Sequence, residues 1–153
     1  MRTVLFICTG NTCRSPMAEG IARHLVDSGT VPGLDSEVFV ASAGVFAADG
    51  VPISPESAEA LERRGIGADG ASKRLTPEMI RQADLVLGMT AAHVEAARHL
   101  AGPDCDTPIE RVDPDGDIDD PIGRGQAVYD QVADRLDEVI PGRLRSLLAS
   151  SGS

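Results

Sequence analysis

The chain has 153 residues, a length typical of one domain, and its 42% hydrophobic content can supply a core without disulfides or metals. Its formal net charge of −10 disfavours nucleic acids and anionic membranes as partners, because both repel an acidic protein. No apolar run approaches the roughly 18 residues of a spanning helix and no leader is evident, so we expect a cytoplasmic protein.

The first half of the chain begins with a predicted strand and helix. Residues 4–7 form an apolar run, and residues 16–27 carry apolar side chains at every fourth position, as in an amphipathic helix. A second strand is predicted over residues 37–41. Two further helices are predicted to start after Ser54 and Thr76, because each hydroxyl can cap free amides and is followed by a proline with no N–H to lose.

The second half continues the alternation of strands and helices. A third strand is predicted within residues 83–90, and it ends in Thr90, whose hydroxyl can cap a helix over residues 91–100. A weaker fourth strand is predicted over residues 108–113. Apolar residues at helical spacing predict a helix over residues 126–148, which Pro141 should kink or interrupt.

This alternation predicts one α/β domain. We expect a three-layer sandwich in which a central four-stranded parallel sheet is flanked by helices on both faces. The domain should span residues 1–150, and residues 151–153 should form a frayed tail.

The segment CTGNTCRS, residues 8–15, follows the first predicted strand, and ligands bind beyond the carboxyl ends of such strands. A loop of small and polar residues can turn its backbone amides inward and form a nest for phosphate oxygens. A nucleotide-binding P-loop is excluded, because the motif G-x-x-x-x-G-K-[ST] is absent. The predicted cradle residues are Thr9, Gly10, Asn11, Thr12 and Cys13.

Three side chains of this segment predict nucleophilic chemistry. The positive end of the following helix and the Arg14 guanidinium should stabilise a thiolate at Cys8. Arg14 can hold two oxygens of a transferring phosphoryl group with its planar fork, and Ser15 can donate a hydrogen bond to the sulfur. Alternatively, Cys8 is a small buried hydrophobic residue with no chemical role.

Hydrolysis of a thiophosphate also needs an acid that protonates the leaving group and later activates water. Asp120 is our candidate, because Pro121 and Gly123 would present it on a stiff loop, although Asp117 and Asp119 cannot be separated from it by this reasoning. The histidines fall at helical positions with polar neighbours and are expected at the surface: His24, His93 and His99.

Over nearly its whole length the chain resembles the low-molecular-weight protein tyrosine phosphatases. The resemblance rests on VLFICTGNTCRSPMAEGIA, SAGV, ADLVLGMT and DDPIG. It implies Cys8 as nucleophile, Arg14 as phosphate clamp and Asp120 as general acid and base. It further implies Ser15 as thiolate stabiliser, Asn11 as the residue that holds the loop in shape, and Ser42 as its buttress. No metal or organic cofactor is implied.

Within this family the chain looks closest to the bacterial protein arginine phosphatases, which share CTGNTCRSPMAE and SAGVFA. Thr12 is rigid and would narrow the pocket entrance, unless it merely caps the helix. Ile122 and Gly123 stand where tyrosine-directed members usually carry aromatic residues, so stacking on a phenol ring would be lost on that wall. The loop of Phe46 should form another wall of the pocket. We therefore expect phosphoarginine on proteins as the substrate, with phosphotyrosine as the alternative.

Two further positions bear on the resemblance. Gly70 replaces a histidine that supports the loop asparagine in many members, so that contact must be replaced or absent. The thioredoxin-coupled arsenate reductases share the scaffold but need two more cysteines, whereas only Cys105 lies outside the loop here.

The pair Cys8 and Cys13 should lie within disulfide reach, and its reversible oxidation would protect the nucleophile; the alternative is that Cys13 is a small packing residue. The remaining alternative is a module that binds phosphoproteins without turnover, which would need neither Cys8 nor Asp120. We expect phosphorylated proteins as partners and a monomer.

Overall fold

One parallel sheet organises the molecule in the computed structural model, which describes residues 2–31, 33, 38–68 and 70–150, the last three by backbone alone. Its strand order is β2-β1-β3-β4. The strands are β1 (Arg2–Cys8), β2 (Val38–Gly44), β3 (Leu85–Gly88) and β4 (Ile109–Arg111). In the register of the sheet, Cys8 pairs with Gly44 of β2, and Ile7 pairs with Gly88 of β3.

Five helices lie within the described residues, and three begin where the hydroxyl caps predict. The helices are α1 (Arg14–Asp27), α2 (Pro55–Glu62), α3 (Pro77–Gln82), α4 (Ala91–Ala101) and α5 (Gln126–Ser150). The side chains of Ser54, Thr76 and Thr90 each accept a hydrogen bond from a backbone N–H in the first turn of α2, α3 and α4. These bonds satisfy donors that a helix leaves free at its start.

Two apolar layers cover the two faces of the sheet. Because side chains alternate along a strand, Val4 and Phe6 of β1 face one layer, and Leu5 and Ile7 face the other. The first layer is filled by α1, α2 and α5, and the second by α3 and α4. The predicted three-layer α/β sandwich with four parallel strands is therefore confirmed.

Two of the differences from the predicted elements have a clear physical cause. The expected interruption at Pro141 does not occur, since α5 runs through it, with Ile140 and Leu144 fully buried on either side. Strand β2 continues to Gly44 because its last residues pair with β1, which sequence periodicity does not reveal. The predicted start of this strand at Glu37 and the predicted tail at 151–153 lie outside the described residues.

Candidate active site

The loop between β1 and α1 turns its carbonyl groups away from its centre. The carbonyls of Cys8, Thr9 and Thr12 accept hydrogen bonds from the backbone N–H groups of Val45, Phe46 and Ser54. Within the described part of the chain, no backbone N–H of residues 9–13 donates to a protein acceptor. Backbone N–H groups without a protein acceptor remain available to the oxygens of an anion, which is what the predicted nest requires.

Asn11 holds the turn of this loop. Its φ of 56° is in the left-handed region, which asparagine tolerates better than most residues. The side-chain amide Nδ2 donates to Ser15 Oγ at 2.8 Å and to Ser42 Oγ at 3.0 Å. Ser42 in turn donates to Glu19 Oε1 at 2.6 Å. The two serines thus fix the loop from two sides, with Asn11 at the junction.

The support that Gly70 cannot give to Asn11 comes from a neighbouring backbone group. The N–H of Lys73 donates to Asn11 Oδ1 at 2.9 Å, which also fixes the orientation of the amide. Gly70 has a φ of 110° and lines a cavity of about 60 Å³ beside Asn11 and Ser42. The contact that the sequence left in doubt is therefore replaced.

Cys8 ends β1 with its side chain turned toward the loop. The residue is 2% exposed, and its Sγ lies 2.9 Å from Ser15 Oγ. Because Ser15 Oγ already accepts a hydrogen bond from Asn11, its own hydrogen is free to donate to the sulfur. A donor at this distance stabilises a thiolate.

Arg14 is buried beneath the loop and points toward a second segment. Its Nη1 donates to the carbonyl of Ile118 at 2.8 Å, and its Nη2 lies 3.8 Å from Asp120 Oδ2. Its Nε is the buried side-chain polar atom without a hydrogen-bond partner among the described residues. A phosphoryl oxygen would supply the partner of Nε, because the guanidinium fork matches the geometry of phosphate oxygens.

The structure distinguishes two of the three aspartates that the sequence could not separate, Asp117 and Asp120. Asp117 accepts a hydrogen bond from the backbone N–H of Ala91 at 2.9 Å and pairs with Arg111, and the first of these bonds is the main reason why its pKa is lowered. The Asp120 side chain is 48% exposed beside Arg14, and its Oδ1 accepts from the N–H of Ile122. Of these two aspartates, Asp120 is therefore the one that lies beside Arg14.

Cys13 faces a different environment from Cys8. Its Sγ lies 3.6 Å from both Ser54 Oγ and Tyr129 Oη, and both cysteines are free thiols. Tyr129 is buried, and burial followed by the hydrogen bond to Cys13 raises its pKa. Helix α1 begins after Cys13 without a side-chain cap, so Thr12 is not the cap of this helix.

His93 was expected at the surface, and this prediction is wrong. The residue is 5% exposed, its Nε2 lies 2.9 Å from Thr9 Oγ1, and its Nδ1 accepts from the N–H of Thr90 at 3.2 Å. The position of His93 in the helix predicted over residues 91–100 gave no sign of this contact, because Thr9 is distant in sequence. The only available signal was the spacing of Thr90 and His93, which suits a capping box.

Two apolar side chains stand at the rim of the loop. Phe46 is 86% exposed, and its N–H donates to the carbonyl of Thr9, while Ile122 is 66% exposed on the Asp120 segment.

Cys105 precedes β4 and so lies toward the amino ends of the parallel strands, whereas Cys8 lies at their carboxyl ends. The position of Cys105 therefore does not suit a thiol relay. No group of three or more potential metal ligands occurs in the described part of the chain, and none of its helices could cross a membrane.

A cysteine with a hydrogen-bond donor, an amide nest, a buried arginine and an exposed aspartate together define the site of a cysteine-dependent phosphatase. The family model described as low molecular weight phosphotyrosine protein phosphatase matches residues 3–151. The chain belongs to this family.

Similar proteins include both kinds of phosphatase that the sequence suggested. The protein-arginine-phosphatase of Bacillus subtilis is 39% identical over 141 residues, which cover 90% of this chain and 91% of that protein. The low molecular weight protein-tyrosine-phosphatase PtpB of Staphylococcus epidermidis is 32% identical over 139 residues, with 90% and 93% covered. A solved structure of a YwlE mutant from Bacillus subtilis has a TM-score of 0.86 at 34% identity, covering 96% of this chain and 99% of that one.

Proposed function

We propose that the protein is a protein phosphatase that uses Cys8 as its nucleophile and acts on phosphoarginine. The observation that carries the proposal is the convergence of Cys8, Arg14 and Asp120 on one amide nest, with Arg14 Nη2 3.8 Å from Asp120 Oδ2. Neither a structural cysteine nor a module that only binds phosphate needs an acid in this place.

The reaction has two steps. In the first, the Cys8 sulfur attacks phosphorus, the bond from phosphorus to the substrate nitrogen breaks, and Asp120 gives its proton to that nitrogen. In the second, Asp120 takes a proton from water while the water oxygen attacks phosphorus, and the thiolate leaves with release of phosphate. Arg14 and the amides of the nest stabilise the charge on the phosphoryl oxygens in both steps.

The preference for phosphoarginine rests on the rim of the site and on the relatives. Ile122 gives no aromatic surface for a phenol ring, Thr12 is rigid at the entrance, and an Asp120 carboxylate can accept a hydrogen bond from a guanidinium. Two similar proteins, 39% and 38% identical, are named protein-arginine-phosphatase. Phosphotyrosine is the second candidate, because the exposed ring of Phe46 could stack on a phenol.

The test is a comparison of kcat/KM for phosphoarginine and phosphotyrosine peptides of the same sequence at neutral pH, with Cys8→Ser as the blank. We expect a preference for phosphoarginine of about 100-fold, which corresponds to about 2.7 kcal/mol in the transition state. Thr12→Ile should reduce or reverse this preference. A preference of the wild type for phosphotyrosine would overturn the substrate and keep the mechanism, whereas no turnover of either would favour the binding module.

We also propose that Cys13 protects Cys8 from irreversible oxidation. Peroxide oxidises the Cys8 thiolate to a sulfenic acid, and the Cys13 thiol then forms a disulfide with it as water leaves, which an added thiol can reduce. The Cys13 side chain packs against Ser54 and Tyr129 in the reduced state. After a peroxide pulse and reduction, wild type should recover more activity than Cys13→Ser. Cys105→Ser is the matched control, and equal recovery by all three proteins would refute the proposal.

The location of the protein, its oligomeric state and its independence from cofactors are part of the same proposal. We propose a cytoplasmic monomer with one domain over residues 1–150 that acts on phosphorylated proteins without a cofactor. Light scattering after gel filtration tests the monomer, and activity in the presence of a metal chelator tests the independence from metals.

A further inference from the structure

His93 connects the phosphate-binding loop to the first turn of α4. The imidazole is 5% exposed, and both of its nitrogens have partners. Nδ1 accepts from the N–H of Thr90 at 3.2 Å, and Nε2 lies 2.9 Å from the hydroxyl of Thr9. Thr9 directly follows Cys8 and belongs to the nest.

These contacts determine which nitrogen carries the proton. A backbone N–H can only donate, so Nδ1 must be the acceptor and the proton of the neutral ring must lie on Nε2. Nε2–H therefore donates to Thr9 Oγ1. The hydroxyl of Thr9 consequently keeps its own hydrogen for another acceptor, and its position is set by the imidazole.

The same helical turn also holds the segment that carries Asp120. The N–H of Ala91 donates to Asp117 Oδ1 at 2.9 Å, and the N–H of Ile118 donates to the carbonyl of Met89 at 2.8 Å. Arg14 then reaches from the loop side to the carbonyl of Ile118. The start of α4 thus contacts both the nest and the acid segment.

The approach of His93 depends on a glycine in the neighbouring strand. A Cβ at Gly88 would lie 3.2 Å from the Cβ of His93 and 3.1 Å from Val94 Cγ2. Because Gly88 has no side chain, the first turn of α4 can pack closely against the end of β3 and reach the loop.

We propose that His93 is a positioning residue of the active site, whose Nε2–H holds Thr9, and with it the nest, in the geometry that binds phosphate. The inference rests on the proposed phosphatase function. Burial and the Arg14 guanidinium lower the pKa of His93 to about 4, with Asp117 and Asp120 acting in the opposite direction, so the ring is neutral at neutral pH as the contact to Thr90 requires.

Two substitutions separate the two nitrogens. His93→Asn keeps an acceptor near the place of Nδ1 and removes the donor to Thr9, whereas His93→Gln can place an amide N–H near the position of Nε2. Thr9→Val removes the acceptor. His99→Asn is the matched control, since His99 is an exposed histidine on the same helix.

The first measurement is the Kd of inorganic phosphate by calorimetry, together with Tm and kcat for a phosphoarginine peptide. We expect His93→Asn to weaken phosphate binding and to lower kcat roughly three- to tenfold, the range of one neutral hydrogen bond. His93→Gln should recover most of this loss, and His99→Asn should behave as wild type. The double variant His93→Asn/Thr9→Val should bind phosphate no more weakly than whichever single variant binds it more weakly.

Two results would overturn the inference while the phosphatase function stands. One is a Kd for His93→Asn within about twofold of wild type, smaller than the effect of a lost hydrogen bond. The other is full additivity of the losses in the double variant, because residues that act through each other do not add. If the wild type itself neither binds phosphate nor turns over a phosphopeptide, the proposed function fails and the inference fails with it.

Discussion

Gly44 stands opposite Cys8 in the sheet, where the loop comes closest to its neighbour. A Cβ built on Gly44 would lie 2.6 Å from the carbonyl oxygen of Thr9 and 2.9 Å from the amide nitrogen of Asn11. Both are backbone atoms of the nest, so they cannot avoid the new methyl group by a change of rotamer. The absence of a side chain at this position is a requirement of the loop geometry.

We therefore expect Gly44→Ala to displace the loop. The substitution should lower the free energy of unfolding by about 1–3 kcal/mol, as overpacking does, and lower kcat/KM by at least about tenfold. Gly67→Ala is the control, since a Cβ there meets no atom within 4 Å. Wild-type kcat/KM in a folded Gly44→Ala protein would contradict the close approach.

Asp120 and Asp119 provide a matched pair for the role of the acid. Only Asp120 lies beside Arg14, so Asp120→Asn should lower kcat about 10²- to 10³-fold on a phosphopeptide, whereas Asp119→Asn should not. The loss should be smaller on p-nitrophenyl phosphate, whose leaving group needs little protonation. Equal losses for the two variants would show that the acid is elsewhere.

At the scale of elements, the sequence predicted most clearly what short-range chemistry decides. The hydroxyl caps at Ser54, Thr76 and Thr90 depend on neighbouring residues, and all three were predicted. The contact between His93 and Thr9 joins residues 84 positions apart, and β2 extends to Gly44 only because β1 pairs with it. Such features depend on how distant segments pack against each other, and the periodicity of residues along the chain does not specify this.

Pro141 shows how packing outweighs local preference within α5. It has no N–H for the carbonyl one turn earlier, yet the helix continues because buried Ile140 and Leu144 hold both halves in the core. We expect Pro141→Ala to restore the missing hydrogen bond and to raise the free energy of unfolding by about 1–3 kcal/mol.

Urea denaturation measures this change, and Gly142→Ala is the companion variant. A Cβ at Gly142 meets only the end of the Arg145 side chain at 3.8 Å, so this variant should gain about 0.5–1 kcal/mol. Lower stability of Pro141→Ala would mean that the proline ring contributes packing that alanine cannot replace.

At the scale of the whole molecule, stability should depend on pH through His93. Its pKa of about 4 in the folded state is below the ordinary value of 6.5, so between these values the unfolded chain binds a proton that the folded protein does not. Acidification through this range therefore favours unfolding. The lowered pKa values of Asp113 and Asp117 act at more acidic pH, where protonation removes their contribution.

Urea denaturation at pH 7, 5.5 and 4.5 tests this dependence. The free energy of unfolding should fall more steeply in wild type than in His93→Asn, whereas exposed His99→Asn should keep the wild-type slope. Equal slopes in wild type and His93→Asn would show that His93 is not the group that binds the proton.

The central place of β1 has a consequence for the order in which the molecule opens. This strand has β2 and β3 as neighbours and an apolar layer on each face, so its amides are covered on every side. Hydrogen exchange of such amides requires disruption of the whole sheet, while loops and helix ends exchange through local openings. We expect the amides from Val4 to Ile7 to exchange only with the free energy of global unfolding. Cys8, the proposed nucleophile, is thus attached to the part of the chain that should open last, and inactivation by denaturant should coincide with the loss of the fold.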